Sequence, residues 1–178
     1  MKTSRPADKA IEERLVILPL APRDAEGIAQ LAAAIWRRHY PGIISAAQIE
    51  YMLRQRYDPE LIRAELERSD LWWDKLLVDG VVAGFASYFL TAAPGEMKLD
   101  KLYVHHDHQR RGYGGRMIEH VCERARTLRC GRITLAVNRH NATAIAAYRK
   151  HGFTVRTTRV QDIGGGFVMD DYVMVREL

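Results

Sequence analysis

Residues 105–117, HHDHQRRGYGGRM, constrain this chain more than any other stretch. Three histidines and an aspartate precede two arginines, and Gly112, Gly114 and Gly115 then fall within four positions. The segment before it, Lys98–Val104 (KLDKLYV), reads as a strand. After it, Met117, Ile118, Val121, Cys122, Ala125 and Leu128 trace one face of a helix, with charges opposite and Gly131 expected as its stop. A strand that feeds a helix through a glycine-rich turn calls for an α/β arrangement.

The flanking segments extend this pattern. Leu15–Leu20 reads as a first strand, and Asp24 as the cap of a helix running to about Trp36, with Ile28, Leu31, Ala32 and Ile35 at helical spacing. Ser45 opens a second helix, and Asp58-Pro59 gives the cap and first-turn proline of a third. WWDKLLV and VVAGFASYFL are strands joined by Asp79-Gly80, a two-residue hairpin signal. RITLAV is another strand, NATAIAAYRKH a helix stopped by Gly152, and FTVRTTRV with FVMDDYVMVREL a hairpin around Gly164-Gly165-Gly166. The order predicts a mixed central sheet with helices on both faces. Residues 11–178 are expected as one domain after a disordered stretch at 1–10.

Several chemistries compete for the glycine loop. A solvated surface turn is one. A dinucleotide fingerprint lacks its acid about twenty residues on, where Thr134-Leu135-Ala136 stand. A nucleotide P-loop lacks Gly-Lys-Ser/Thr. A metal site would need His105, His106, Asp107 and His108 to converge, which adjacent loop residues rarely do, and no metal is expected. A pyrophosphate site uses most of the stretch: unpaired N–H groups at a helix start carry partial positive charge, glycines admit phosphate oxygens, and Gln109, Arg110 and Arg111 add donors.

The formal net charge of +5 suits an anionic ligand, but Lys and Arg are scattered rather than gathered into a tail or stripe, so nucleic acid is not the expected partner. Cys122 and Cys130 form no CxxC pair and fit a reducing compartment. The early apolar run, Leu15–Ala21, is broken by Pro19 and too short to span a bilayer, so a cytoplasmic protein without membrane partners is expected.

LYVHHDHQRRGYGGRMIEHV and NRHNATAIAAYRKHGF together resemble the two signatures of the GNAT superfamily of acetyl-coenzyme A-dependent N-acetyltransferases. Gln109, Gly112 and Gly114 match the first; Asn141, Ala144, Tyr148, Gly152 and Phe153 match the second. The resemblance implies acetyl-coenzyme A as co-substrate, its pantetheine arm between splayed parallel strands Lys98–Val104 and Arg132–Val137, pairing near Leu102, Tyr103 and Val104. It places the pyrophosphate on Gln109, Arg110, Arg111, Gly112, Tyr113, Gly114 and Gly115. Asn141, Ala144 and Tyr148 recur at i, i+3 and i+7, so one helix face could carry an amide partner, a gap and a hydroxyl.

The implied reaction is direct attack of an amine on the thioester, with Tyr148 as general acid and a backbone N–H near Val104 polarising the carbonyl. Relatives that acetylate protein N-termini carry a glutamate where this chain has Ala136. Asp100 is the expected base, with Glu96 and His105 as alternatives. IWRRHYPGIISAAQIEYMLRQRYDPELIRAEL resembles the matching segment of bacterial polyamine N-acetyltransferases, so Trp36, His39 and Tyr40 are expected to line an acceptor pocket, with Asp170 or Asp171 attracting a cation. Small amines or polyamines are the expected acceptors, and a homodimer the expected assembly. A protein lysine, an aminoacyl-tRNA, or a non-catalytic sensor or nucleic-acid-binding role is the alternative.

Overall fold

Alternation and turn chemistry set most of the sheet. In the computed structural model, residues 13–178 are described; the disordered stretch expected at residues 1–10 lies outside them. Strands β1 (Leu15–Pro19), β2 (Leu71–Val78) and β3 (Val81–Leu90) form an antiparallel meander. Asp79 (φ 49°) and Gly80 (φ 83°) make the tight β2–β3 turn, left-handed at both positions as the Asp-Gly pair demands. β4 (Glu96–Val104) and β5 (Arg132–Asn138) follow, then the hairpin β6 (Thr154–Gly164) and β7 (Phe167–Glu177). Among the described residues these make one seven-stranded sheet in the order β1-β2-β3-β4-β5-β7-β6. Among the described strands of this sheet, only β4 and β5 pair in parallel.

Helices α1 (Ala25–His39), α2 (Ala46–Arg56) and α3 (Pro59–Leu66) cover one face. Helices α4 (Tyr113–Thr127) and α5 (Ala142–Lys150) cover the other. Each buries an apolar stripe; in α4 it is Met117, Ile118, Val121, Cys122 and Ala125, as the spacing predicted. Ser45 and Asp58 cap α2 and α3 through N–H groups of Gln48 and Glu60.

Two helix boundaries differ from the sequence reading. Asp24 ends a 3-10 turn (Pro22–Asp24) and gives α1 no side-chain cap. Its carboxylate accepts from the Ala21 N–H (2.8 Å) and from Lys75 Nζ (2.7 Å), so it holds the turn and a half-buried ion pair instead. The left-handed residue that ends α4 is Arg129 (φ 59°), not Gly131, and Cys130 N–H closes back on the Ala125 carbonyl. Gly152 (φ 82°) ends α5 as expected.

A bulge in β4 positions the site. β3 and β4 pair from Leu90–Met97 to Gly84–Val104, but the register slips between Tyr88–Leu99 and Ser87–Lys101, leaving Asp100 as the extra residue. Simple alternation would put Leu99 and Lys101 on one face. The bulge reverses this: Met97 and Leu99 pack beneath α4, whereas Lys101 turns to the α1–α3 side, its ammonium 4.7 Å from the Trp73 ring centre.

Candidate active site

β4 and β5 pair only from Glu96–Arg132 to Leu99–Leu135. Past that point β4 follows β3 and β5 follows β7, and the two parallel strands part. A parted pair leaves inward-facing N–H and C=O groups without a ladder, free for an extended ligand arm. The gap opens into a cavity of about 330 Å³.

At one end lies the glycine loop. Gly112 (φ 81°) is the N-cap of α4, and Arg110 (φ 62°) is also left-handed. A Cβ added at Gly112 or Gly114 would meet nothing within 4 Å, so the space beside both is open; one at Gly115 would strike the His151 ring at 2.6 Å. A cradle of bare backbone at the start of a fifteen-residue helix fits a pyrophosphate. Gln109 Nε2 donates to the Val104 carbonyl (2.9 Å), folding the loop back on β4 and occupying one acceptor expected for the pantetheine arm. Arg111 pairs with Glu13, whose other oxygen accepts from the Tyr113 hydroxyl. Tyr113 is thus a buried anchor, and Arg110 makes no ion pair with the described residues.

α5 supplies the far wall. Asn141 caps it, its Oδ1 accepting from the Ala144 N–H (3.2 Å) and meeting His39 Nε2 at 3.2 Å. That oxygen therefore serves the helix and ties α1 to α5. Ala144 and Tyr148 face the cavity from the same stripe. The Tyr148 ring rests edge-on against Phe153 (5.7 Å), and its hydroxyl bonds no described residue. Burial pushes that phenol up to about 12.

Trp36, His39 and Tyr40 all border the cavity, and Trp36 and Tyr40 are core residues as well. The Tyr40 hydroxyl lies 3.0 Å from that of Tyr103, whose ring packs near Trp36 and Phe85 on the α1–α3 side. The β6–β7 tip roofs this end: Tyr51 of α2 donates to the Ile163 carbonyl (2.7 Å), and Gln48 to the Val168 carbonyl (3.0 Å).

The carboxylates differ sharply. Asp100 meets Arg56 at 2.6 Å, Lys101 at 2.7 Å and Lys98 at 3.4 Å. Burial alone would raise its pKa, but these cations hold it well below the usual carboxylate range. Asp171, on β7, is buried and lines the cavity, yet among the described residues its Oδ1 has no hydrogen-bond partner. Burial moves its pKa up, opposed by Arg159 and reinforced by Asp170. Asp170 is instead paired with Arg139 (2.8 Å).

Two sequence candidates fall elsewhere. Glu96 sits at the closed end of the β4–β5 pair, bonded to Arg132 (2.7 Å) and Thr91 (3.1 Å). His105 lies past the end of β4 and stacks on His106. Donor atoms of His105, His106 and Asp107 come within 4.8 Å of one another, a closer convergence than expected of adjacent loop residues, with Asp107 3.3 Å from His106 and 3.7 Å from His105. Sequence reasoning missed Arg56, Lys98, Lys101 and Arg159, all of which border the cavity. The signal available was Lys101 at a strand position otherwise set for burial.

Comparison with known proteins agrees with this geometry. Spermidine N(1)-acetyltransferase of Thermoplasma acidophilum is 28% identical over 161 residues, covering 86% of this chain and 94% of the relative. Streptothricin acetyltransferase of Streptomyces lavendulae is 35% identical over 75 residues, 42% of this chain and 40% of the relative. Among solved structures, the PaiA N-acetyltransferase of Thermoplasma acidophilum in complex with coenzyme A superposes with a TM-score of 0.80 at 24% identity, covering 93% of this chain and 99% of the other. The Escherichia coli ribosomal-protein-S18-alanine N-acetyltransferase gives 0.67 at 20% identity, over 92% and 94%. The profile of the acetyltransferase (GNAT) family matches residues 30–153, a span that holds the glycine loop, the parted strands and Tyr148, and the chain belongs to that family.

Proposed function

We propose that this acyltransferase moves an acetyl group from acetyl-coenzyme A directly to a small primary amine. The observation that carries the reading is the parting of β4 and β5 after Leu99–Leu135, with Tyr148 lining the gap and the glycine turn at its mouth. Acetyl-coenzyme A would supply the activated acyl group as a thioester. In this reading the N–H groups of residues 112–115 and Arg110 hold the pyrophosphate, and the unladdered edge of Leu102–Val104 holds the extended arm.

The chemistry asked of the chain is modest. A nitrogen–carbon bond forms as the carbon–sulfur bond breaks; the amine gives up one proton and the sulfur gains one. Tyr148 serves the sulfur. A phenol near 12 facing a thiol near 8.5 is roughly 3.5 pKa steps from matched, so Tyr148 stabilises the departing thiolate as a hydrogen-bond donor before any full proton transfer. Neither Cys122 nor Cys130 suits an acyl-enzyme route, since both are buried and burial raises both thiols.

Asp100 is a poor proton acceptor in this setting, because three cations stabilise its ionised form and weaken it as a base. We assign it to ordering Arg56 and Lys101 at the bulge. Asp171 is the better base or ammonium anchor, being buried and free of a partner among the described residues. The relative named for spermidine supports an amine acceptor.

The test is free-thiol release from acetyl-coenzyme A with polyamines, amino acids, aminoglycosides and lysine peptides as acceptors. Release with a small amine supports the reading. Release only with a protein lysine or aminoacyl-tRNA moves the activity to macromolecules. Binding of acetyl-coenzyme A with no acceptor-dependent release would make the chain a sensor.

A further inference from the structure

The charge of the acceptor side is the opposite of what a polyamine needs. Among the described residues bordering the cavity, Arg56, Lys98, Lys101 and Arg159 face only two carboxylates, Asp100 and Asp171, a formal excess of two positive charges. Asp100 is already shared among Arg56, Lys98 and Lys101. A linear polyamine brings several ammonium groups, and only Asp171 is left to receive them.

The phosphates of a coenzyme do not account for these cations. The glycine loop follows Val104, whereas Lys98 lies six residues earlier on β4, about 20 Å along the strand. Arg56 is the last residue of α2, and Arg159 lies on β6 opposite Asp171 in the β6–β7 register. Arg56 spends one guanidinium nitrogen on Asp100, leaving further N–H donors, and Arg159 makes no ion pair with a described residue. Asp171 is a buried, unpartnered carboxylate beside them, a costly group unless a ligand completes it.

We infer that the acceptor is an amine carrying its own acidic group, a zwitterion of the amino-acid type, with its carboxylate on Arg56, Lys98 and Arg159 and its ammonium beside Asp171. This rests on the acetyl-transfer reading and narrows it. Bidentate guanidinium–carboxylate recognition would give the site a preference that length and hydrophobicity alone do not. Lys101, enclosed against Trp73 and tied to Asp100, belongs to the wall rather than to the ligand. The free amine must be deprotonated before attack, and a carboxylate at Asp171 stands where it can hold that ammonium and accept its proton.

The test uses matched acceptors: amino acids and the amines left when their carboxyl group is removed, such as lysine and 1,5-diaminopentane, with spermidine alongside. Thiol release from acetyl-coenzyme A should show kcat/KM at least about tenfold higher for the carboxylate-bearing member of a pair. Calorimetry without acetyl-coenzyme A gives an independent reading and should show the same order of affinity. Arg159→Gln, on an exposed strand where folding is not at stake, should raise KM for the carboxylate-bearing acceptor and narrow the ratio. Equal or better turnover of the decarboxylated amines or spermidine overturns this inference and leaves acetyl transfer standing. No release with any acceptor overturns both.

Discussion

Replacing Lys101 with methionine should destabilise the fold through a charge rather than a cavity. Methionine is close to lysine in length and volume, so packing loss is small. What goes is a buried ammonium, 3% exposed, that bonds Asp100 at 2.7 Å, lies 3.6 Å from Glu65 and sits 4.7 Å from the Trp73 ring centre. Removing one member of a buried pair costs about 3–5 kcal/mol when the other charge is left alone. Asp100 is not left alone, because Arg56 remains at 2.6 Å and Lys98 at 3.4 Å. We therefore expect about 2–4 kcal/mol, or a Tm lower by about 4–16 °C at this chain length. Urea unfolding followed by tryptophan fluorescence reads it, with Trp73 as a local reporter. Asp100→Asn and the double variant complete a cycle whose coupling should exceed about 1 kcal/mol. The sign with pH is fixed as well. The Asp100 pKa lies below its unfolded value, so its contribution is present above the ordinary carboxylate pKa and is lost as pH falls toward the folded one. In Lys101→Met the folded pKa is less depressed, so that loss should be smaller and should be complete at higher pH. A cost under about 0.5 kcal/mol, or strict additivity in the cycle, would mean that Lys101 and Asp100 are not energetically coupled.

Other perturbations follow from the same geometry. His120 donates to Asp74 (2.9 Å), which also accepts from Tyr88, and its pKa is raised chiefly by that bond, so its stabilisation is full below the unfolded histidine pKa and lost as pH rises through the folded one. His120→Gln should flatten the pH dependence of Tm between about pH 6 and 8; an unchanged profile would exclude the pair. Arg110→Ala with Arg111→Ala should shrink the Tm rise given by acetyl-coenzyme A, more at low salt than at high, and an undiminished rise would move the phosphate site elsewhere. Gly165 has φ +63°, and an added Cβ would lie 2.8 Å from the Tyr51 ring, whose hydroxyl is fixed on Ile163. Gly165→Ala should cost about 1–3 kcal/mol and raise the acceptor KM while leaving that of acetyl-coenzyme A unchanged.

Most of the fold was legible because its signals are local. Asp79-Gly80, Ser45, Asp58-Pro59 and Gly152 each fix a turn or a cap through their own backbone chemistry, and the α4 stripe follows from spacing. The bulge at Asp100 was not legible, because it depends on the register of two strands, and it is what sends Lys101 to the acceptor side. Asp24 misled for a related reason: a good capping residue was claimed by Lys75, fifty-one residues away in the chain. The glycine loop and the Asn141–Ala144–Tyr148 face were visible as motifs. The charge of the acceptor cavity was not, since Arg56, Lys98 and Arg159 come from α2, β4 and β6 and meet only in the folded chain.

Whether Tyr148 serves the departing sulfur in a direct transfer is tested most directly by Tyr148→Phe under conditions where chemistry limits turnover. The ring stays against Phe153, so stability and acetyl-coenzyme A affinity should change little, and only the hydroxyl is lost. Turnover should fall by about a hundredfold in kcat, the lower end for a lost acid because a thiolate leaves partly unaided, with the acceptor KM nearly unchanged. A kcat equal to that of the unaltered protein would contradict it and reduce Tyr148 to a packing residue.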